Sequence, residues 1–235
     1  TPDPLWSRGL GDVYKRQVKT DLSGIKPDHL SIPVREEMRS ADGSKLDAWI
    51  YRPGQIVNGR FLATIPIRPF PVVILFHGGP ESQFRPRFMG QYNYLISEEK
   101  TVMICPNVRG SRGYGKKYLK ADNGREREKV LFDIERIFNA IAADPTLDQS
   151  RIAVMGGSYG GFMSLHSMVK LNNFLKCGVD VVGISNFVTF LENTSNYRRD
   201  LRRAEYGDER IPEMRKFLEE LSPLTHVDKI TRPLL

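Results

Sequence analysis

Short apolar runs alternate with amphipathic stretches along this chain, and that alternation predicts a layered α/β fold. Residues 30–38 and 45–52 read as two strands joined at Asp42-Gly43, a dipeptide that favours a tight hairpin turn. The Gly- and Pro-bearing stretch 53–70 reads as a loop. Residues 71–76 (Pro-Val-Val-Ile-Leu-Phe) are almost uninterruptedly apolar, as expected of a strand buried on both faces. Residues 88–98 carry Phe88, Tyr92, Leu95 and Ile96 at helical spacing, and 101–105 reads as the next buried strand. The clearest helix is 127–143. Val130, Leu131, Ile134, Ile137, Phe138 and Ile141 form one stripe, and Asp133, Glu135 and Arg136 are expected to face water. A strand at 151–155, a helix to about Lys170, a strand at 178–184 and a helix around Glu192 follow. An antiparallel entry followed by β-α-β-α-β implies a mostly parallel sheet with helices on both faces.

The chemistry concentrates at one junction. Gly156-Gly157-Ser158-Tyr159-Gly160 directly follows the strand 151–155 and opens a helix, which puts one serine at the apex of a sharp strand-to-helix turn. The framing glycines have a mechanical reason, since side chains there block the close approach of helix and strand. A second glycine pair, His77-Gly78-Gly79-Pro80, ends the strand 71–76. Together these loops have the arrangement of a nucleophile elbow and an oxyanion hole. Ser158 is the candidate nucleophile, and the backbone N–H groups of Tyr159 and Gly79 are the candidate oxyanion donors.

Composition narrows the alternatives. Hydrophobic residues make up 40% and charged residues 27% of 235, enough apolar content for one α/β domain with a buried core. The net charge of +7 is spread out. Its densest region, 197–216, interleaves arginines with Asp and Glu, a solvated helical surface laced with ion pairs rather than a nucleic-acid-binding stripe. No apolar run approaches the ~20 residues of a membrane span. Cys105 and Cys177 read as buried free thiols, and no cluster has metal-ligand spacing, so neither metal nor organic cofactor is expected.

The start of the chain stands apart. Residues 7–17 resemble a translated sequencing-library adapter, because Asp-Val-Tyr-Lys-Arg-Gln is one translation of GATGTGTATAAGAGACAG. Residues 1–17 are therefore set aside as an artefact, and 18–235 are expected to be a partial α/β-hydrolase domain entered in mid-gene. That leaves a cytoplasmic or a periplasmic location equally open.

His77-Gly78-Gly79-Pro80, the run Asn107-Val108-Arg109-Gly110-Ser111-Arg112-Gly113-Tyr114-Gly115, and Gly156-Gly157-Ser158-Tyr159-Gly160-Gly161 resemble, in that order, the catalytic domain of the prolyl oligopeptidase family. The bacterial dipeptidyl-aminopeptidase and acylaminoacyl-peptidase-like members are the most similar, and the likeness runs from about Ile25 to Leu235. The resemblance implies an α/β-hydrolase fold, a serine peptidase acting on short peptides through an acyl-enzyme on Ser158, and an N-terminal β-propeller as partner domain. It implies that Phe187 and Phe190 line the pocket for the residue before the scissile bond. Plain core aromatics are an equal reading of the same two residues. Arg109 is expected either to contact substrate or to brace its loop.

The departures matter as much. In this fold the triad runs Ser, then acid, then His. After Ser158 only His166 and His226 remain. His166 lies two turns down the helix leaving the elbow, out of reach of the serine, and His226 precedes the stretch expected to begin the acid-bearing strand at Pro233-Leu234-Leu235. Asn186 cannot ionise, and Glu192 falls within a predicted helix. The chain is thus expected to hold the nucleophile and oxyanion half of a site, and to be inactive alone. Two other readings stay open here, an esterase or lipase on the same fold and a binding domain without catalysis.

Overall fold

The computed structural model describes residues 30–235, so the adapter-like stretch and the start of the family resemblance lie outside the described residues. Strands β1 (Val34–Arg39) and β2 (Lys45–Tyr51) form the expected hairpin around Asp42-Gly43, with Arg39 paired to Lys45. β5 (Phe70–Phe76), β6 (Val102–Asn107), β7 (Leu147–Gly157) and β8 (Cys177–Val181) complete a six-stranded sheet in the order β1-β2-β6-β5-β7-β8. The pairings among β5, β6, β7 and β8 are parallel, and β2 joins β6 antiparallel. On the outer edge of β8, the Gly178 N–H donates to Pro233 O at 2.9 Å and the Asp180 N–H to Leu235 O at 2.7 Å. The Pro233-Leu234-Leu235 run thus begins a further parallel rung.

Helices lie on both faces. α3 (Val130–Ala143) and α4 (Tyr159–Lys170) cover one face over the larger core, in which Val72, Ile74, Ile104, Ile134, Ile137 and Phe162 are buried. α5 (Phe187–Glu192), α6 (Asn196–Tyr206) and α7 (Pro212–Leu221) add Leu191, Tyr206, Leu218 and Leu221 to it. The opposite face carries α1 (Tyr92–Ser97) over a smaller cluster of Tyr51, Leu75, Phe84, Met89, Ile96 and Met103. Among the described residues no helix is long and apolar enough to cross a membrane.

Five local expectations change. The stretch 53–70 is not all loop: β3 (Gly54–Val57) and β4 (Arg60–Ala63) form a separate hairpin across Asn58-Gly59, both with positive φ, as a two-residue turn between twisted strands requires. α1 starts at Tyr92 because Gly90 turns the chain with φ +56°, which buries Met89 and leaves Phe88 exposed. β8 stops at Val181, since Val182 takes φ +50°. Cys105 is buried as expected, whereas Cys177 is half-buried, and both are free.

The fifth change is energetic. Asp133, expected to face water, is 1% exposed. Its Oδ2 accepts the backbone N–H of Arg109 at 2.8 Å and the Arg109 Nε–H at 3.1 Å, and its Oδ1 accepts Arg109 Nη2 at 2.8 Å and the Ser40 hydroxyl at 2.5 Å. Arg109 also reaches Asp42 in the β1–β2 turn at 2.9 Å. Burial pulls the Asp42 carboxyl upward, but Arg109 and Ser44 outweigh it and hold the group at about 2. One guanidinium therefore ties the loop after β6, the entry hairpin and α3 together.

α4 is buried along its whole length except Lys170, and His166 is only 2% exposed. Its ring lies 5.3 Å from that of Phe162, and Nε2 has no hydrogen-bond partner. Burial, then Lys170 and His226, lower its pKa from the usual 6.5 to about 3.

Two predictions follow from these buried groups. Asp133→Ala leaves a buried guanidinium short of its main counter-charge, and urea unfolding is expected to show a loss of about 3 to 5 kcal/mol. Below pH 6.5 the unfolded chain binds a proton at His166 that the folded chain refuses until about pH 3. Stability at that residue is therefore full above 6.5 and falls by up to about 1.4 kcal/mol per pH unit on acidification. Urea midpoints between pH 6.5 and 5 are expected to fall less steeply in His166→Leu than in the parent, the remaining slope including His77, whose pKa burial also lowers.

Candidate active site

β7 ends and α4 begins with only Ser158 between them, and this residue takes φ 56° and ψ −119°. A non-glycine residue there is strained by on the order of 1–3 kcal/mol, a cost the surrounding structure has to over-determine. It does so with two hydrogen bonds and two close backbone approaches. The Ser158 N–H donates to Val181 O at 2.9 Å, and Ser158 O accepts the Phe162 N–H at 3.1 Å. Below the turn, a Cβ placed on Gly156 would sit 2.3 Å from Gly160 O, and one on Gly160 would sit 2.3 Å from Phe76 O. Only glycines let β5, β7 and α4 meet this closely. The result is a serine that is exposed while both its chain neighbours in α4, Tyr159 and Gly160, are buried.

The loop after β5 closes on the same point. A Cβ on Gly78 would lie 3.0 Å from Gly157 O and 3.5 Å from Ser158 Cβ, so His77-Gly78-Gly79 runs directly beside the elbow. Gly79 has φ +47° with open space around it. At the other side, the first-turn amides of α4, beginning with Tyr159, have no partner inside the helix and carry its positive dipole end. The glycine loop and the first turn of α4 thus lie on either side of Ser158.

His77 is structural. Its Nε2 lies 2.8 Å from Ser111 Oγ and its Nδ1 lies 3.1 Å from Gly78 O, so both ring nitrogens are occupied within the loop framework. Burial lowers its pKa and keeps the ring neutral. His226 Nε2 donates to Glu220 O at 2.8 Å, and His166 is buried in α4. Glu192 pairs with Arg215 at 2.8 Å on the surface. None of these side chains is hydrogen-bonded to Ser158. Among the described residues no cluster of His, Cys, Asp or Glu is placed to hold a metal ion.

The residue after the nucleophile is braced from below. The Tyr159 hydroxyl donates to Asp122 Oδ2 at 3.2 Å, and Arg127, fully buried, donates to the same oxygen at 2.8 Å. The Arg127 guanidinium lies 5.1 Å from the Tyr159 ring and 4.3 Å from that of Tyr206. Burial and the Asp122 charge push the Tyr159 phenol well above its ordinary range, so it stays a donor. Sequence reasoning missed Asp122 and Arg127, whose only signal is their polarity beside a predicted helix start.

The substrate-pocket candidates separate. Arg109 is 2% exposed and occupied by Asp133 and Asp42, which makes it the brace of its loop. Phe187 is wholly buried, with its ring 4.8 Å from Phe162 and 5.4 Å from Tyr206, a core aromatic. Phe190 alone stays half-buried, packed edge-on to Tyr206 at 5.5 Å.

On the other side of the elbow, a cavity of 710 Å³ reaches His77, Gly78 and Gly157 and is framed by Arg85, Arg87 and Arg112. The sequence signal was there in the close spacing of Gln83-Phe84-Arg85-Pro86-Arg87, but nothing in it indicated what faces the serine.

Known proteins share this arrangement. The model of the prolyl oligopeptidase family matches residues 61–235. Dipeptidyl aminopeptidase BIII of Pseudoxanthomonas mexicana is 35% identical over 98% of this chain, which spans 33% of that protein. A puromycin-hydrolyzing peptidase of Mycobacterium tuberculosis superposes with a TM-score of 0.77 at 26% identity, covering 88% of this chain and 31% of the other. An acylaminoacyl peptidase of Pyrococcus horikoshii shares the fold with a TM-score of 0.72 at 23% identity, over 87% of this chain and 31% of its own. The chain thus spans about a third of the length of these relatives. With the strained serine, the glycine loop beside it and the family match in agreement, this chain belongs to the prolyl oligopeptidase family.

Proposed function

We propose that this chain carries the nucleophile and oxyanion half of a serine peptidase that cleaves short peptides through an acyl-enzyme on Ser158. The observation that carries this reading is the exposed Ser158 hydroxyl on a φ 56° turn, between the glycine loop at Gly78 and the first turn of α4. No ordinary turn has reason to hold a serine in that conformation.

In the first half-reaction the Ser158 oxygen attacks the peptide carbonyl while its proton passes to a histidine base. The Gly79 and Tyr159 N–H groups stabilise the oxyanion, and the C–N bond breaks as the base protonates the departing amine. Water then adds to the acyl carbonyl with its proton taken by the same base, and Ser158 is released. We take the base and its orienting acid to come from parts of the full-length enzyme other than the described residues, among which His77 and His226 are hydrogen-bonded elsewhere and His166 is buried in α4. Relatives about three times as long are consistent with a further domain, which we take to be a β-propeller that admits only short peptides.

In the full-length enzyme Ser158→Ala is expected to lower kcat on short peptide substrates by on the order of 10⁶-fold with an unchanged melting temperature. Retention of more than about a hundredth of the activity would remove Ser158 from the nucleophile role. Residues 1–235 alone are expected to show no turnover above that variant.

A further inference from the structure

We propose that the cavity framed by Arg85, Arg87 and Arg112 binds a carboxylate of the peptide on the leaving-group side of the scissile bond. The proposal rests on the serine peptidase reading and names part of its substrate.

Charge accounting sets this cavity apart. Both buried arginines of the described chain have carboxylate partners, Arg109 with Asp133 at 2.8 Å and Arg127 with Asp122 at 2.8 Å. Arg85, Arg87 and Arg112 have none among the described residues, yet all three line one cavity whose wall contains no Asp or Glu. The nearest acid in sequence, Glu81, instead lines a separate groove with Lys120 and Glu205. Neutral His77, held so by burial, adds no counter-charge. Three guanidinium groups around a concave, partly apolar wall focus a positive potential there.

The arginines are also pre-positioned. The Arg112 Nε–H donates to Glu81 O at 2.6 Å and its backbone N–H to Ser82 O at 2.9 Å, which leaves both terminal nitrogens uncommitted. Arg87 lies 5.4 Å over the Phe84 ring, and its backbone exchanges hydrogen bonds with the Tyr51 hydroxyl at 2.9 and 3.0 Å. Asn107 pins Phe84 from both sides, accepting its N–H at 2.6 Å and donating to its carbonyl at 3.1 Å. A planar fork held on such a loop suits two-point recognition of a carboxylate.

Strand order fixes the side. Arg85 and Arg87 follow β5, Arg112 follows β6, Ser158 ends β7, and half-buried Phe190 follows β8. The arginine cavity and Phe190 therefore flank the nucleophile on opposite sides. Taking Phe190, as the family resemblance implies, as the wall for the residue that becomes the acyl group, the cavity receives the amine-side product. Its carboxylate can be the free C-terminus of a short peptide or an acidic side chain next to the cleaved bond.

The test is a kinetic comparison in the full-length enzyme, using one acyl sequence with three leaving peptides: a C-terminal amide, a free C-terminal acid, and an amide with Glu after the cleaved bond. The acid, the Glu peptide or both are expected to exceed the neutral amide in kcat/KM by about tenfold at low salt, with the advantage shrinking in 0.5 M NaCl. Which of the two exceeds it identifies the source of the carboxylate. In Arg85→Gln/Arg112→Gln, both exposed positions, the advantage is expected to vanish while the neutral amide is cleaved at the parental rate. Equal rates for all three peptides in the parent, or an advantage untouched by the double variant, would overturn the proposal.

Two controls separate this from the reading beneath it. A fluorophosphonate carries no leaving peptide, so it is expected to label parent and double variant at the same rate. Failure to label either one indicts the serine peptidase reading itself. If labelling succeeds but peptide turnover is too slow to measure, protection of Ser158 by a product dipeptide replaces it: the free acid is expected to protect about tenfold better than its amide in the parent and equally in the variant. Equal protection in the parent would again overturn the proposal.

Discussion

Everything at this site depends on how little room there is between the ends of β5 and β7 and the first turn of α4. A side chain on Gly156 or Gly160 would collide with backbone oxygen at 2.3 Å, so the two strands and the helix converge to a separation that only bare backbone permits. That convergence forces the single intervening residue into a conformation a serine does not choose by itself. It also delivers three things at once: an exposed serine, the free amides of a helix start, and a neighbouring glycine loop so close that a Cβ on Gly78 would lie 3.5 Å from Ser158 Cβ. The strain and the chemistry have the same cause.

A rigid elbow needs rigid surroundings, and here buried charge provides them. Arg109 draws the β1–β2 turn, the loop after β6 and α3 onto Asp133. Arg127 holds Asp122 beneath Tyr159 and leans on Tyr206. Buried ion pairs are weak evidence for net stability, because desolvation offsets much of their attraction. Their value is positional, since each fixes several loops at one point and breaking either strands a charge in the core. The exposed arginines near the elbow follow the opposite pattern. They lack partners among the described residues and surround open space, the arrangement of groups that wait for a ligand.

The framework of the fold was legible because its signals are strong and local. Continuous apolar runs gave the buried strands, the 3.6-residue stripe gave α3, and glycines at fixed offsets around Ser158 gave the elbow. What failed, failed for physical reasons. Asp133 was placed toward water because a carboxylate on a helix normally is, and the guanidinium that buries it sits 24 residues away. The β3–β4 hairpin was hidden by its Gly and Pro content, although Asn58-Gly59 between Ile56-Val57 and Phe61-Leu62 carries the signal of a tight turn. Phe187 and Phe190 share one short helix and one composition, and only packing against Phe162 and Tyr206 decides that the first is core while the second keeps an exposed edge. Loop arginines, finally, carry no periodicity. Their convergence on one cavity is a property of the sheet order and not of any local pattern.

The central claim is that the strained serine is the nucleophile, and locating a covalent adduct tests it most directly. The full-length enzyme would be treated with a fluorophosphonate, digested, and its peptides sequenced by mass spectrometry. The account predicts a single stoichiometric adduct on Ser158 within the Gly156-Gly157-Ser158-Tyr159-Gly160 segment. An adduct on any other serine, or an enzyme that cleaves peptides while Ser158 stays unmodified, would contradict it.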